Sequence, residues 1–136
     1  FPGVKKFLFD LKKEGYKLAI VSSNRKENID KFIEINKLYV FDFIHGKTDL
    51  FGKAVDLEKF LRDFSLKKSE VIYVGDEIRD VEACKKIGIK IIGVSWGLHT
   101  ITALKRAGVD YIAKKPQEIF KILKTKGMKK SYFSLE

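Results

Sequence analysis

The residues of this chain best suited to chemistry are carboxylates that follow an apolar run. In VIYVGDEIRD (Val71 to Asp80), Asp76, Glu77 and Asp80 come directly after four apolar or aromatic residues and a glycine. Carboxylates grouped this closely repel one another, and at least one would keep its proton unless a cation intervened. A hard divalent ion removes that conflict; Mg²⁺ typically takes one or two carboxylates and completes its shell with waters and phosphate oxygens. Glu77 alone reads as a first-turn helix residue favoured by the macrodipole, whereas Asp76 and Asp80 read as candidate metal ligands. A second polar cluster, Ser22-Ser23-Asn24, follows the apolar segment Leu18 to Val21. Hydroxyls and main-chain N–H groups there can hold a phosphate oxygen at a helix N-terminus, although the same residue types serve as helix caps. Lys53, in LFGKAVD, opens a helical segment where a cation opposes the dipole, and that local misfit makes it the third candidate.

These groups need elements to position them, and the hydrophobic period switches repeatedly between helical and strand-like. Val4, Phe7, Leu8 and Leu11 form one helical stripe; Lys17 to Val21 reads as a strand. Ile29, Phe32, Ile33 and Asn36 are spaced as a helix, Phe41 to Ile44 as a strand, and Leu57, Phe60, Leu61 and Phe64 as a further helix. Val71 to Val74 is a strand, Val81, Cys84 and Ile87 mark a helix, and the nearly all-apolar Ile89 to Val94 suits a strand covered on both faces. A short helix with Ile101 and Leu104, a strand Tyr111 to Ala113 and a helix opened by Pro116 complete the order. Strands separated by helices pair in parallel with helices on both faces. The predicted fold is therefore α/β, a Rossmann-like three-layer sandwich with a mainly parallel sheet, in which residues 1–126 form the core and 127–136 a flexible tail. Ligands of such sheets sit beyond the carboxyl ends of the strands, which puts Ser22 and Asp76 on one edge.

A hydroxyl after one strand, a lysine before a helix and then an apolar strand running into GDxxxD resembles the haloacid dehalogenase superfamily, most of whose members are Mg²⁺-dependent phosphatases. FPGVKKFLFDLKKEGYKLAIVSS looks like the helix and strand leading to that family's second motif, FGKAVDLEKFL like the third, and VIYVGDEIRDVEACKKIGIKIIGVSWG like the fourth with the strand after it. Phosphoglycolate phosphatase-like members are the relatives this pattern suggests. The resemblance implies that Ser22 hydrogen-bonds the transferring phosphoryl group with help from Ser23 and Asn24, that Lys53 offsets charge on phosphate and nucleophile, and that Asp76 binds Mg²⁺ with Asp80 as ligand or support. It also implies an aspartate nucleophile that forms an aspartyl-phosphate, from a first motif hhhhDxDGT that these residues lack. FLFDLKKEG is no substitute, because Lys12 stands where the second aspartate belongs and Asp10 falls at helical spacing. The central first strand is thus expected to be missing, leaving the strands ending at Val21 and Val74 without a neighbour between them. The chain by itself is expected to be inactive, and to fold poorly, to dimerise or to be completed by an N-terminal segment.

Length and composition agree with one domain: 136 residues, 45% hydrophobic. The formal charge of +10 comes from 28 Lys and Arg against 18 Asp and Glu, but the lysines are scattered, and four arginines are few for a protein that reads base edges. A nucleic-acid partner is therefore disfavoured, no membrane partner is expected, and a small phosphorylated metabolite is the expected substrate. A single cysteine, Cys84, suits a reducing, cytoplasmic setting. The competing readings are a phosphosugar mutase or dehalogenase on the same core, and a non-catalytic module using its basic surface. His45 and His99 lack ligand spacing and read as structural, while Trp96 and Gly97 follow a strand at the site edge and are placed to shape a pocket.

Overall fold

The computed structural model describes residues 3–22, 24–46, 52–97, 99–126 and 132–135. The elements alternate as the periodicity requires: α1 (Val4–Lys13), β1 (Lys17–Val21), α2 (Lys26–Asn36), β2 (Phe43–His45), α3 (Lys53–Asp63), β3 (Val71–Gly75), α4 (Ile78–Ile87), β4 (Lys90–Val94), α5 (Ile101–Ala107), β5 (Tyr111–Ala113), α6 (Pro116–Thr125) and β6 (Tyr132–Leu135). All pairings are parallel, in the order β2-β1-β6-β3-β4-β5.

Strand residues alternate between two apolar layers, as a two-residue period demands. Leu18, Ile20, Ile72, Val74, Ile92 and Val94 pack with α1, α2 and α6, whereas Ala19, Val21, Val71, Tyr73 and Ile91 pack with α3, α4 and α5. The sheet is therefore covered on both faces, and the predicted three-layer α/β sandwich holds. Within the helical stripes Phe32, Asn36 and Phe64 depart from expectation and are exposed. Phe32 is 57% exposed, because α2 turns only Ile29 and Ile33 into the core.

The centre of the sheet corrects the sequence reading. The strands ending at Val21 and Val74 do have a neighbour between them, β6, drawn from the segment expected to be a loose tail. Its backbone pairs on both sides, which satisfies main-chain groups that β1 and β3 would otherwise bury without partners. One rung runs straight across all six strands, through Ile44, Ile20, Leu135, Val74, Ile92 and Tyr111.

Asp42 ties three elements together near the opposite end of β1. Its carboxylate accepts from Lys12 Nζ at 2.8 Å and from the Leu18 N–H at 2.8 Å, while its own N–H donates to the Leu18 carbonyl at 2.7 Å. Burial pushes this carboxyl up, but the Lys12 ammonium and the Leu18 N–H outweigh it and hold the group below its ordinary value. A carboxyl with a lower pKa folded than unfolded stabilises the fold above the unfolded value, and that stabilisation is lost as pH falls through the folded one. Asp42→Asn is expected to cost about 1.5 kcal/mol at neutral pH. It should also remove part of the acid-induced loss of stability that develops below about pH 4 in the unaltered chain. Denaturant titrations followed by circular dichroism at several pH values check both; an unchanged pH dependence would count against this role.

Candidate functional site

Because every pairing is parallel, the carboxyl ends of the strands share one edge, and the common rung fixes the heights there. Ile20 and Val74 both lie level with Leu135 of β6. Ser22 and Asp76 each stand two residues past that rung, on opposite sides of the β6 line. With strands spaced about 4.8 Å apart, their backbones lie on the order of 10 Å from each other. A phosphoryl group and a hydrated cation fit such a gap.

On the β1 side, the Ser22 N–H donates to the His45 carbonyl at 3.0 Å, which locks the ends of β1 and β2 together. Ser22 Oγ accepts from the Asn24 N–H at 3.1 Å, leaving its O–H as a donor. Asn24 Oδ1 accepts from the Arg25 N–H and from Asn28 Nδ2, both at 2.9 Å, so this side chain organises the start of α2. Gly46 makes the tight exit possible: a Cβ there would lie 2.8 Å from Lys26 N and 2.9 Å from the Asn24 carbonyl oxygen. Ser23 lies outside the described residues. Lys53 is the first residue of α3, after Gly52, whose φ of 86° is the left-handed backbone that glycine adopts readily.

On the β3 side, Asp76 is half-buried at the end of the strand and Asp80 is fully buried within the first turn of α4. Asp80 Oδ2 accepts from the Glu77 N–H at 3.3 Å and Oδ1 accepts from the Tyr73 hydroxyl at 3.5 Å. Tyr73 is itself buried in β3, so Asp80 fastens the turn to the strand behind it. Glu77 sits at the N-cap of α4 and pairs with Arg79. The sheet thus brings Ser22, Asn24 and Asp76 to one edge, while Asp80 stands behind the turn and Lys53 opens α3. Asp10, the rejected nucleophile candidate, lies within α1 and pairs with Lys6 at 2.7 Å.

Among the described residues no group of three or more His, Cys, Asp or Glu side chains could hold a metal ion. Mg²⁺ does not need such a cage, since water and phosphate oxygens make up most of its shell. Asp76, half-buried at the strand end, offers a carboxylate that such a shell would accept, whereas Asp80 is buried behind the turn.

Two further features lie at this edge, the first a cavity that Trp96 and Gly97 help to line, as their place after a strand predicts. It opens between α1, α6 and the ends of β3 and β4, walled by Val74, Gly75, Asp76, Val94, Trp96 and Gly97 among others. The segment after β4 also touches the Asp76 turn directly. The His99 N–H donates to the Asp76 carbonyl at 3.1 Å, and His99 Nδ1 accepts from the Ile78 N–H at 3.0 Å. The only sequence signal for His99 was its place beyond a strand end at the site edge.

The chain belongs to the haloacid dehalogenase-like hydrolase family, whose model matches residues 1–94. It is 32% identical over 120 residues to a phosphoglycolate phosphatase from Synechococcus elongatus, an alignment covering 88% of this chain and 57% of that protein. It is 29% identical over 118 residues to a pyrophosphatase PpaX from Bacillus mycoides, covering 84% of this chain and 55% of the relative. Among solved structures, a haloacid dehalogenase-like family hydrolase from Streptococcus pneumoniae superposes with a TM-score of 0.83 at 25% identity, over 90% of this chain and 59% of that one. The chain therefore spans little more than half the length of the relatives it matches. Among the described residues no helix is long and apolar enough to cross a membrane.

Proposed function

We propose that this chain supplies the phosphate- and metal-binding half of a Mg²⁺-dependent phosphomonoester hydrolase acting on a small phosphorylated metabolite. The observation that carries the proposal is the equal height of Ser22 and Asp76, two residues past a shared rung on either side of the central strand. In this reading the Ser22 hydroxyl and the N–H groups opening α2 hold the phosphoryl oxygens. The Lys53 ammonium offsets charge on the phosphate and on the attacking carboxylate. Asp76 would hold Mg²⁺ and Asp80 would keep the Asp76 turn in place, the support role rather than the ligand role. Mg²⁺, when bound, neutralises charge on the transferring group. The nucleophile is an aspartate outside these 136 residues, attacking phosphorus to form an aspartyl-phosphate that water then clears. Positioning and charge account for most of the rate in such reactions. The phosphoglycolate phosphatase and pyrophosphatase relatives support a phosphate ester or anhydride as substrate.

Hydrolysis of p-nitrophenyl phosphate with and without Mg²⁺ provides the test. The 136-residue chain alone is expected to give no turnover above buffer. In the whole protein, Asp76→Asn is expected to lower Mg²⁺-dependent turnover by more than about 100-fold, and Lys53→Ala by about 100- to 1000-fold. Ready turnover by the chain alone would overturn the assignment of the nucleophile; full activity in Asp76→Asn would overturn the assignment of the metal site.

A further inference from the structure

We propose that His99 is a positioning residue that clamps the Asp76 turn from the neighbouring loop, an inference that rests on reading Asp76 as the carboxylate of the Mg²⁺ site. The turn from Asp76 to Ile78 leaves a strand and enters a helix, so its first N–H groups have no partner within α4. His99 meets it at both ends: its N–H donates to the Asp76 carbonyl at 3.1 Å and its ring Nδ1 accepts from the Ile78 N–H at 3.0 Å. An Nδ1 that accepts this bond carries no proton, so the ring proton sits on Nε2.

The clamp is itself anchored on both sides. Thr100, the next residue, caps α5 through Oγ1, which accepts from the Ala103 N–H at 3.1 Å. Gly97, two residues before His99, lies so close that a Cβ there would come within 1.9 Å of Asp76 Cβ. The loop therefore backs the Asp76 side chain with bare backbone and holds the Asp76 main chain through His99. Asp80 fastens the same turn to β3 from behind, through the Glu77 N–H and the Tyr73 hydroxyl. Two independent sets of contacts thus fix the main-chain turn that carries Asp76, as expected where a cation must be met without rearrangement.

The test compares His99→Ala and His99→Asn in the 136-residue chain, with Asp76→Asn as reference. Amide exchange at Ile78, read by nuclear magnetic resonance, reports the clamp without any metal. It is expected to speed up about tenfold or more in His99→Ala and to stay near the unaltered rate in His99→Asn, whose Oδ1 can replace Nδ1 as acceptor. Mg²⁺ titration is followed by the fluorescence of Trp96, the single tryptophan, which walls the same cavity as Asp76. Affinity is expected to fall about tenfold in His99→Ala, to recover in His99→Asn and to vanish in Asp76→Asn. Unchanged Ile78 exchange in His99→Ala would overturn the proposal, as would faster exchange with undiminished Mg²⁺ affinity. A fluorescence response that is absent in the unaltered chain and in Asp76→Asn alike would count against the metal reading instead, and Ile78 exchange would then decide the clamp alone.

Discussion

Ending the chain after Lys126 is expected to abolish cooperative folding. The lost residues include β6, which lies between β1 and β3 and pairs with both. Without it, the halves β2-β1 and β3-β4-β5 no longer share a hydrogen-bonded ladder, and two inner edges lose their partners. The apolar layers on both faces cross that seam: Leu18 and Ile20 share one cluster with Ile72 and Val74, and Ala19 and Val21 share the other with Val71 and Tyr73. Opening the seam exposes both layers at once, and a domain stabilised by only about 5–15 kcal/mol does not survive such a loss. The truncated chain should keep much of its helical far-ultraviolet signal, lose its aromatic near-ultraviolet signal and bind hydrophobic dyes. Phe133→Pro in the full chain is a milder version. It removes a main-chain donor from a central strand, where proline is not tolerated, at a cost of about 3 kcal/mol or more. Thermal unfolding at both wavelengths decides the matter. A truncated chain with the same sharp transition and midpoint would show that β6 contributes nothing to the sheet.

That strand also shows where sequence reading stopped. β1, β3 and β4 were legible because each is an apolar run bounded by polar turns, buried on both faces, so pattern and fold agree. β6 is four residues that follow the Lys-rich KILKTKGMKK, and local composition there says tail. Its place depends on pairings with β1, more than a hundred residues away, and with β3, which no local pattern encodes. The site divides in the same way. Ser22 and Asp76 could be placed on one edge because they follow strands, and in a parallel sheet strand ends converge there. The split between Asp76 and Asp80 was not legible. Both are aspartates in one short motif, and only the fold shows Asp80 buried and bonded to the Tyr73 hydroxyl and the Glu77 N–H. His99 and Gly97 were invisible as partners of Asp76 because the path of the loop after β4, rather than any spacing, brings them to it.

Gly97→Ala is expected to damage the site far more than the fold. A Cβ at this position would lie 1.9 Å from Asp76 Cβ, 2.4 Å from Cγ and 2.3 Å from Oδ2, so the two side chains cannot coexist as placed. Gly97 is not among the glycines with positive φ, so the conflict is steric rather than conformational. Either the loop or Asp76 must move. The loop is held by the His99 N–H on the Asp76 carbonyl and by the Thr100 cap on α5, so the added methyl bears on the Asp76 side chain rather than moving the loop. The carboxylate should therefore swing away, at about 1–3 kcal/mol in stability. Displacing a positioned group by about 1 Å can cost on the order of 100-fold in rate, and a rotated carboxylate moves further than that. Gly75→Ala provides the contrast. Its Cβ would meet Asp80 Oδ2 at 2.7 Å and Tyr73 Cε1 at 2.8 Å, both inside the core, so its main effect should be a lower melting temperature. Melting temperature and Mg²⁺-dependent hydrolysis, measured on both variants of the whole protein, separate the two roles. Gly97→Ala should keep a cooperative transition, lowered by several degrees, and lose Mg²⁺-dependent turnover by about 100-fold or more. Retention of turnover within a few-fold would mean that the Asp76 carboxylate does not act from the position that the loop after β4 builds for it.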